Sequence, residues 1–442
     1  MSVPYSNSYL SNKKLIFLFL FFTIIFSPFF FQKWRIKLTP LFAVSGDEPH
    51  YLVMANSLAK DFDLEVSNNY RERQYGELLK NYELDHHTYF IHESKRIPWE
   101  DVYEVSKSNS GVLFVKKETY RELDTENLIE VPIHPPGYPL LLAAFFYPFL
   151  NNGAVYSESI ILFFQLLFFS ISVLYAYKTF SVKPGSFLFV FLALSYPVWT
   201  LNASFYTEGI IGSLLLLSFC HLQNKKTILF ALDLFLIIFI KEIYIPAAFF
   251  LSALFFMENK FRLKHLPVII LPALSLLIYF IKNFLLFSNP FHTYIPYSVN
   301  NNILNAVYEL LFSSHKGILV FSPHLIFLPA ALIKYTGQYR LRGAVLAAVT
   351  FIIFTVTIFH SSWSGGPSFS YRTFAPILFF SFPLIYLYIH DKKIARYFFM
   401  ALMILSFSNM FFAVTNLGSS YASPPLINLF NFHDSRLAER FF

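Results

Sequence analysis

The sequence predicts an all-α polytopic membrane protein, and three observations predict it. Charged residues make up 14% of the 442 residues, against roughly 25% in an ordinary soluble domain, which is too little polar surface to coat a water-soluble particle. The 57 Phe and 28 Tyr suit lipid-facing helices and interfacial belts better than one globular core. Apolar windows long enough to cross a bilayer recur along most of the chain. The net charge of +7 comes without a Lys/Arg-rich run, so no nucleic-acid partner is expected. The single cysteine, Cys220, excludes an internal disulfide framework and a Cys-based metal knuckle.

In chain order, residues 1–32 are read as an N-terminal tail and first span, with the apolar window at 15–32. Its charge and hydrophobicity resemble a signal peptide, but no small-residue cleavage site follows, which predicts an uncleaved anchor. Residues 33–153 form a large polar loop, and residues 154–415 a bundle of about ten further spans. Windows for the bundle fall at 154–177, 184–200, 207–222, 265–286, 317–333, 343–359, 373–389 and 397–414. The stretch 226–257 is too long for one span and has basic residues at both ends, so two short spans are predicted with a turn at Lys241-Glu242. The total is about eleven transmembrane helices. Residues 416–442 form a C-terminal tail on the outer side.

Orientation follows from the basic residues. With the N-terminus inside, the cytoplasmic segments hold 15 of the 34 Lys and Arg, and segment 33–134 holds 13. Lys33, Arg35 and Lys37 locally outvote Lys13 and Lys14, but long loops translocate largely regardless of charge. Eighteen of the 27 acidic residues lie between Asp47 and Glu130, so the acids mark one extracytoplasmic loop. Within it, Glu48–Lys60 is predicted to be an amphipathic interfacial helix with Tyr51, Leu52, Ala55, Leu58 and Ala59 on one face. Residues 138–150 are apolar but too short to span, and are placed in the interface or as a re-entrant segment. Segment 66–130 is mixed and charged, and no element is assigned to it.

The first chemical motif is Ser45-Gly46-Asp47-Glu48-Pro49-His50-Tyr51. Adjacent carboxylates just outside the first span suit a general base acting on an acceptor hydroxyl. A plain helix start, with Asp47 as N-cap and Pro49 in the first turn, accounts for Asp47 but requires neither Glu48 nor His50. The second motif, His134-Pro135-Pro136-Gly137-Tyr138-Pro139, is on its own a Pro-rich turn, with His134 available to a lipid headgroup. A third set comprises Lys241, Lys282, Lys316 and Arg372, basic residues mapped to the outer ends of spans against the charge trend. Lys316 and Arg372 sit at helix N-termini, where the dipole disfavours cations, so a nearby anion such as a lipid-borne phosphate is expected. The loop from Trp363 to Arg372 adds Gly365-Gly366-Pro367 for close backbone approach and Trp363 for sugar or isoprenoid contact.

Intramembrane acids are functional candidates by default, and here they are Glu158, Glu208, Asp233 and Glu242. Glu208 is placed at the outer end of its span, where it lines the same cavity. Asp233 is expected to pair within the bundle, and Lys241 and Glu242 to neutralise one another. Asp85, His86, His87, His92, Glu93 and His134 are suitable metal ligands, but their spacing matches no recognised motif. A divalent metal therefore stays open, with His86, His87 and His92 as candidates, and no other cofactor is signalled. The phosphate loop, the dinucleotide fingerprint and the nucleophile elbow are absent.

Taken in order and with their topological placement, these motifs resemble the GT-C superfamily of membrane glycosyltransferases. The likeness is to bacterial relatives of the protein mannosyltransferases and of the lipid A aminoarabinose transferase. It is carried by Asp47-Glu48 after the first span, the long first loop, His134 to Pro139, Thr207-Glu208 and Lys241-Glu242. Lys316 to Pro323 and the Gly365-Gly366…Arg372 loop complete it. The resemblance implies an inverting transferase with a polyprenyl-phosphate sugar donor and a glycan, lipid or protein acceptor. It also implies an integral position in a bacterial inner membrane with the site facing the periplasm. In such families a first-loop carboxylate is the base, here Asp47 with Glu48 beside it, and the residue before Pro-Pro approaches the lipid phosphate, here His134. His50, Tyr51, Glu208, Lys241, Lys316, Trp363 and Arg372 are the expected donor or substrate contacts. The rival class is a transporter or flippase of a lipid-linked substrate, which explains intramembrane charge but predicts paired halves that the sequence does not display.

Overall fold

The computed structural model describes residues 47–74, 85–92, 95–108, 111–125, 127–147, 154–180, 192, 195, 198–202, 206–259, 261–291, 302–313, 317–359 and 372–416. The described residues are mostly helical, at 75%. Among the described residues, three helices are long and apolar enough to cross a membrane: Ile160–Thr179, Leu263–Phe287 and Arg340–Phe359. The expected windows at 15–32 and most of 184–200 lie outside the described residues.

Helix α1 (Glu48–Lys60) has the predicted bounds, with Pro49 in its first turn. It is not one-sided, however. Tyr51, Leu52, Ala55 and Ala59 enter the main core, while Val53 and Met54 pack on Val66 and Tyr70 on the other side. Helix α2 (Gly137–Phe146) packs against it and starts at the Pro-Pro turn. Gly137 is required by packing: a Cβ there would lie 1.9 Å from the carbonyl oxygen of Phe239. Gly137→Ala is therefore expected to destabilise the fold by about 1–3 kcal/mol. A drop in the thermal midpoint of the detergent-purified chain checks this, and an unchanged midpoint would refute the close contact.

The all-α expectation is corrected in the loop between α1 and α2. Strands β1 (Thr88–His92), β2 (Lys95–Pro98), β3 (Tyr103–Ser108), β4 (Gly111–Lys116) and β5 (Ile129–Pro132) form two small antiparallel sheets. One has the order β2-β1-β5, and the other is the β3–β4 hairpin. Short β-branched and aromatic runs such as Thr88-Tyr89-Phe90-Ile91 suit a half-buried pleated surface. They close over a separate small core of Phe90, Trp99 and Val102.

Among the described residues, the longer helices of the bundle are α3 (Ala154–Thr179), α4 (Thr207–Gln223), α5 (Thr227–Ile240), α6 (Ile245–Glu258), α7 (Pro267–Phe287), α8 (Ile303–Phe312), α9 (Phe327–Gln338), α10 (Arg340–Phe359), α11 (Pro376–Ile389) and α12 (Lys393–Asn416). Helix α4 is central and packs on α3, α5 and α11. The division of 226–257 falls where the basic residues put it. Lys241 is extended (φ −157°, ψ 111°), a short 3-10 turn follows at Glu242–Tyr244, and Pro246 lies in the first turn of α6. The expected single span at 317–333 is corrected. It splits into Ile318–Phe321, a 3-10 turn at Pro323–Ile326, and α9. Pro323 supplies no N–H, and the residue before a proline is driven out of the α region. On α7, Ile270, Leu277, Ile281, Phe284 and Leu285 are exposed. A stripe of that kind is costly in water and compatible with lipid.

Candidate functional site

The start of α1, the start of α4 and the break after α5 converge on Arg372. Asp47 is the residue before α1, yet its side chain makes no capping hydrogen bond. Its Oδ2 instead accepts a hydrogen bond from Nη2 of Arg372 at 2.7 Å, across 325 positions of sequence. The cap explanation of Asp47 is thereby set aside. Nε of the same guanidinium lies 3.6 Å from Oε1 of Glu208, and its Cζ sits 4.7 Å from the Tyr206 ring centroid. Lys241 Nζ donates to that Glu208 oxygen at 2.7 Å. Carboxylates and cations thus alternate: Asp47, Arg372, Glu208, Lys241. Glu208 is 1% exposed, and a carboxylate so deep is tolerable only because two cations pair with it.

Arg372 is not saturated by these contacts. Its Nε and Nη1 are buried and have no hydrogen-bond acceptor among the described residues. The turn that carries it is tied to the α5–α6 break, because the Tyr244 hydroxyl donates to the carbonyl of Thr373 at 2.8 Å.

A histidine cluster adjoins Asp47. Sheet pairing sets Thr88 opposite Pro132, and the N–H of Ile133 donates to the carbonyl of His87 at 3.0 Å. This register brings Nδ1 of His87 to 3.2 Å from Nε2 of His134. Nδ1 of His87 also lies 3.9 Å from Oδ1 of Asp47, while its Nε2 lies 3.7 Å from Oδ2 of Asp85. His50 stacks on His87 with ring centroids 3.8 Å apart and meets the Tyr70 hydroxyl through Nδ1 at 2.6 Å. The Tyr51 ring tilts against His134 at 4.9 Å.

Burial opposes ionisation of Asp47, but Arg372, His134, His87 and Lys241 together outweigh it and hold the carboxyl well below the usual range. Burial pushes His134 down to about 3 against the pull of Asp47, so it offers a hydrogen bond or a lone pair rather than a charge. Burial and the neighbouring His87 likewise push His50 well below its ordinary value. His87 goes the other way: burial lowers it, but Asp85 and Asp47 together raise it.

No family model, curated protein or solved structure matches the chain. The site therefore rests on its own residues. Asp47, Glu208, Lys241 and Arg372, singled out in the sequence, meet in one network, and His50, Tyr51 and His134 lie in the adjoining cluster. Glu48 is buried next to Asp47 along the chain. Lys316 and Trp363 lie outside the described residues, as does the side chain of Glu158.

Other expectations are corrected. Lys241 pairs with Glu208 rather than Glu242, whose Oε2 has no hydrogen-bond partner among the described residues. The extended conformation at Lys241 takes its side chain away from the helix path. Lys282 lies apart, over the rings of Tyr279 and Phe287 at 5.2 and 5.5 Å. Of the metal candidates, only His87 belongs to a group of close ligand atoms. His86 meets Oε1 of Glu130 at 2.7 Å, and His92 closes β1. Successive side chains of extended chain point to opposite sides, which separates His86 from His87. Asp233 pairs within the bundle as expected, at 2.6 Å from His221. Tyr206, Tyr70 and Tyr244 were not singled out in the sequence. Tyr206 stands beside Thr207-Glu208 and was within reach; the other two carry no local signal.

Proposed function

We propose that the protein is an inverting glycosyltransferase, moving a sugar from a polyprenyl-phosphate donor to a hydroxyl of a cell-envelope glycolipid, polysaccharide or protein. The chain would lie in the membrane with several spans, its site on the outer face. The observation that carries this reading is the Asp47–Arg372–Glu208–Lys241 network, which joins a first-loop carboxylate to partly buried cations. Inversion needs a base on one side of the anomeric carbon and positive charge on the other. The acceptor oxygen forms its bond to the anomeric carbon as the bond to the phosphate oxygen breaks. The electron pair leaves with the phosphate, and the hydroxyl proton passes to Asp47.

Arg372 serves the phosphate through the Nε and Nη1 donors that lack an acceptor among the described residues. An entering phosphate competes with Asp47 for the guanidinium and loosens the carboxylate as the acceptor arrives. Lys241 and Glu208 hold the guanidinium in place and moderate its charge.

The test compares a deletion strain with one carrying Asp47→Asn. Both should lose a sugar from a surface glycan and accumulate its polyprenyl-phosphate form. Unchanged glycans in both would overturn the reading, and loss of substrate movement without loss of transfer would favour a transporter. Topology gives a second check. In a Cys220→Ala background, Glu118→Cys sits at a side chain 84% exposed. It should react with an impermeant thiol reagent from outside intact cells, and labelling only after lysis would refute the outer placement.

A further inference from the structure

The histidine cluster has more order than a general-base site needs. Three separate elements deliver it: the turn into α1 brings Asp47, the residue before β1 brings His87, and the second residue after β5 brings His134. One ligand atom from each of these three lies within 4.8 Å of the other two. Nδ1 of His87 faces both partners, at 3.2 Å from Nε2 of His134 and 3.9 Å from Oδ1 of Asp47. Nitrogens bound to a tetrahedral zinc at about 2.0–2.1 Å stand about 3.3 Å from one another. The His87–His134 separation already meets that spacing, and the carboxylate needs to close on His87 by only a fraction of an ångström.

The surroundings match as well. Nε2 of His87 lies 3.7 Å from Oδ2 of Asp85, a small closure short of hydrogen-bond reach. A carboxylate behind a histidine fixes its tautomer and leaves the other nitrogen free to bind a cation. His50 stacked on the ring at 3.8 Å fixes its plane. A simple hydrogen bond between His87 and His134 would account for their distance. It does not by itself place an Asp47 oxygen 3.9 Å from the same nitrogen and an Asp85 oxygen 3.7 Å from the other.

We propose that Asp47, His87 and His134 bind a divalent transition-metal ion of the zinc type. Two imidazoles and one carboxylate suit zinc and its neighbours, whereas magnesium and calcium favour all-oxygen sites. Three protein ligands leave a fourth position for water or a hydroxyl, as in catalytic zinc centres. Since Oδ2 of Asp47 is held by Arg372, the same carboxylate would join the ion to the cation network. The binding claim does not depend on glycosyl transfer: zinc bound without transfer would overturn only the transferase reading, and transfer without zinc only this one.

The experiment uses the full chain in detergent, tag removed and stripped with chelator, then titrated with Zn²⁺ and desalted before metal analysis. The wild type and His92→Ala should retain stoichiometric zinc, and Mg²⁺ should not compete. His87→Ala and His134→Ala should lose it, and Asp85→Asn should bind about 10–100-fold more weakly. A wild type that retains no zinc, or a His87→Ala/His134→Ala double variant that retains it undiminished, would overturn the proposal. Co²⁺ in the wild type gives a readout free of folding defects in variants. Intense visible absorption supports a tetrahedral site, and the weak spectrum of six-coordinate cobalt overturns it.

Discussion

Asp47→Asn is expected to lower sugar transfer by about 10²–10⁴-fold, the usual contribution of a positioned general base. Asparagine keeps the size and shape of the side chain, so the start of α1 and its packing stay as they are. The amide cannot take the acceptor proton. It also withdraws one negative charge from Arg372, which keeps its contact with Glu208. The measurement is transfer from a polyprenyl-phosphate sugar by the reconstituted full chain, with gel filtration reporting folding. A wild-type rate would remove Asp47 from the mechanism. Glu48→Gln makes the necessary comparison, because Glu48 is buried beside Asp47 in the chain and Asp47 accepts a hydrogen bond from Arg372. His87→Ala separates the base from the proposed metal, since it deletes a ligand and leaves Asp47 in place.

Legibility in the sequence followed the range of the interaction. Helix α1 was readable to the residue because Pro49 and the apolar spacing are local signals. So was the break at Lys241, where charge interrupts an apolar run. The strands were missed because runs of four to six residues carry little periodicity, and charged positions mask it. Chemical oddity picked out Glu208, Lys241 and Arg372 one by one, each charged where apolar chain or helix dipole disfavours charge, while Asp47 was picked out by its pairing with Glu48 just outside the first span. Who pairs with whom was not readable. Adjacent Lys241 and Glu242 looked like partners, yet the partner of Lys241 lies 33 positions away. The choice of His87 over His86 depends on strand direction and on the pairing of β1 with β5, and neither leaves a mark in a single sequence.

Arg372 is expected to control use of the donor, and its variants separate charge from shape. Arg372→Ala should raise the donor concentration for half-maximal rate about 10–100-fold, the worth of a charge-assisted hydrogen bond to phosphate, while the acceptor requirement changes little. The alanine variant has a complication, because removing one partner from a buried network costs about 3–5 kcal/mol. Asp47 would lose its cation, and Glu208 would keep only Lys241. Arg372→Lys resolves the ambiguity. It restores the charge and much of the stability, but a lysine has no planar fork to reach Asp47, Glu208 and a phosphate together. Donor use should therefore stay impaired in the lysine variant even where its thermal midpoint recovers. If donor and acceptor requirements rise equally in both variants, Arg372 only supports the fold. If lysine restores donor use in full, charge alone suffices and the bridging geometry has no part in binding phosphate.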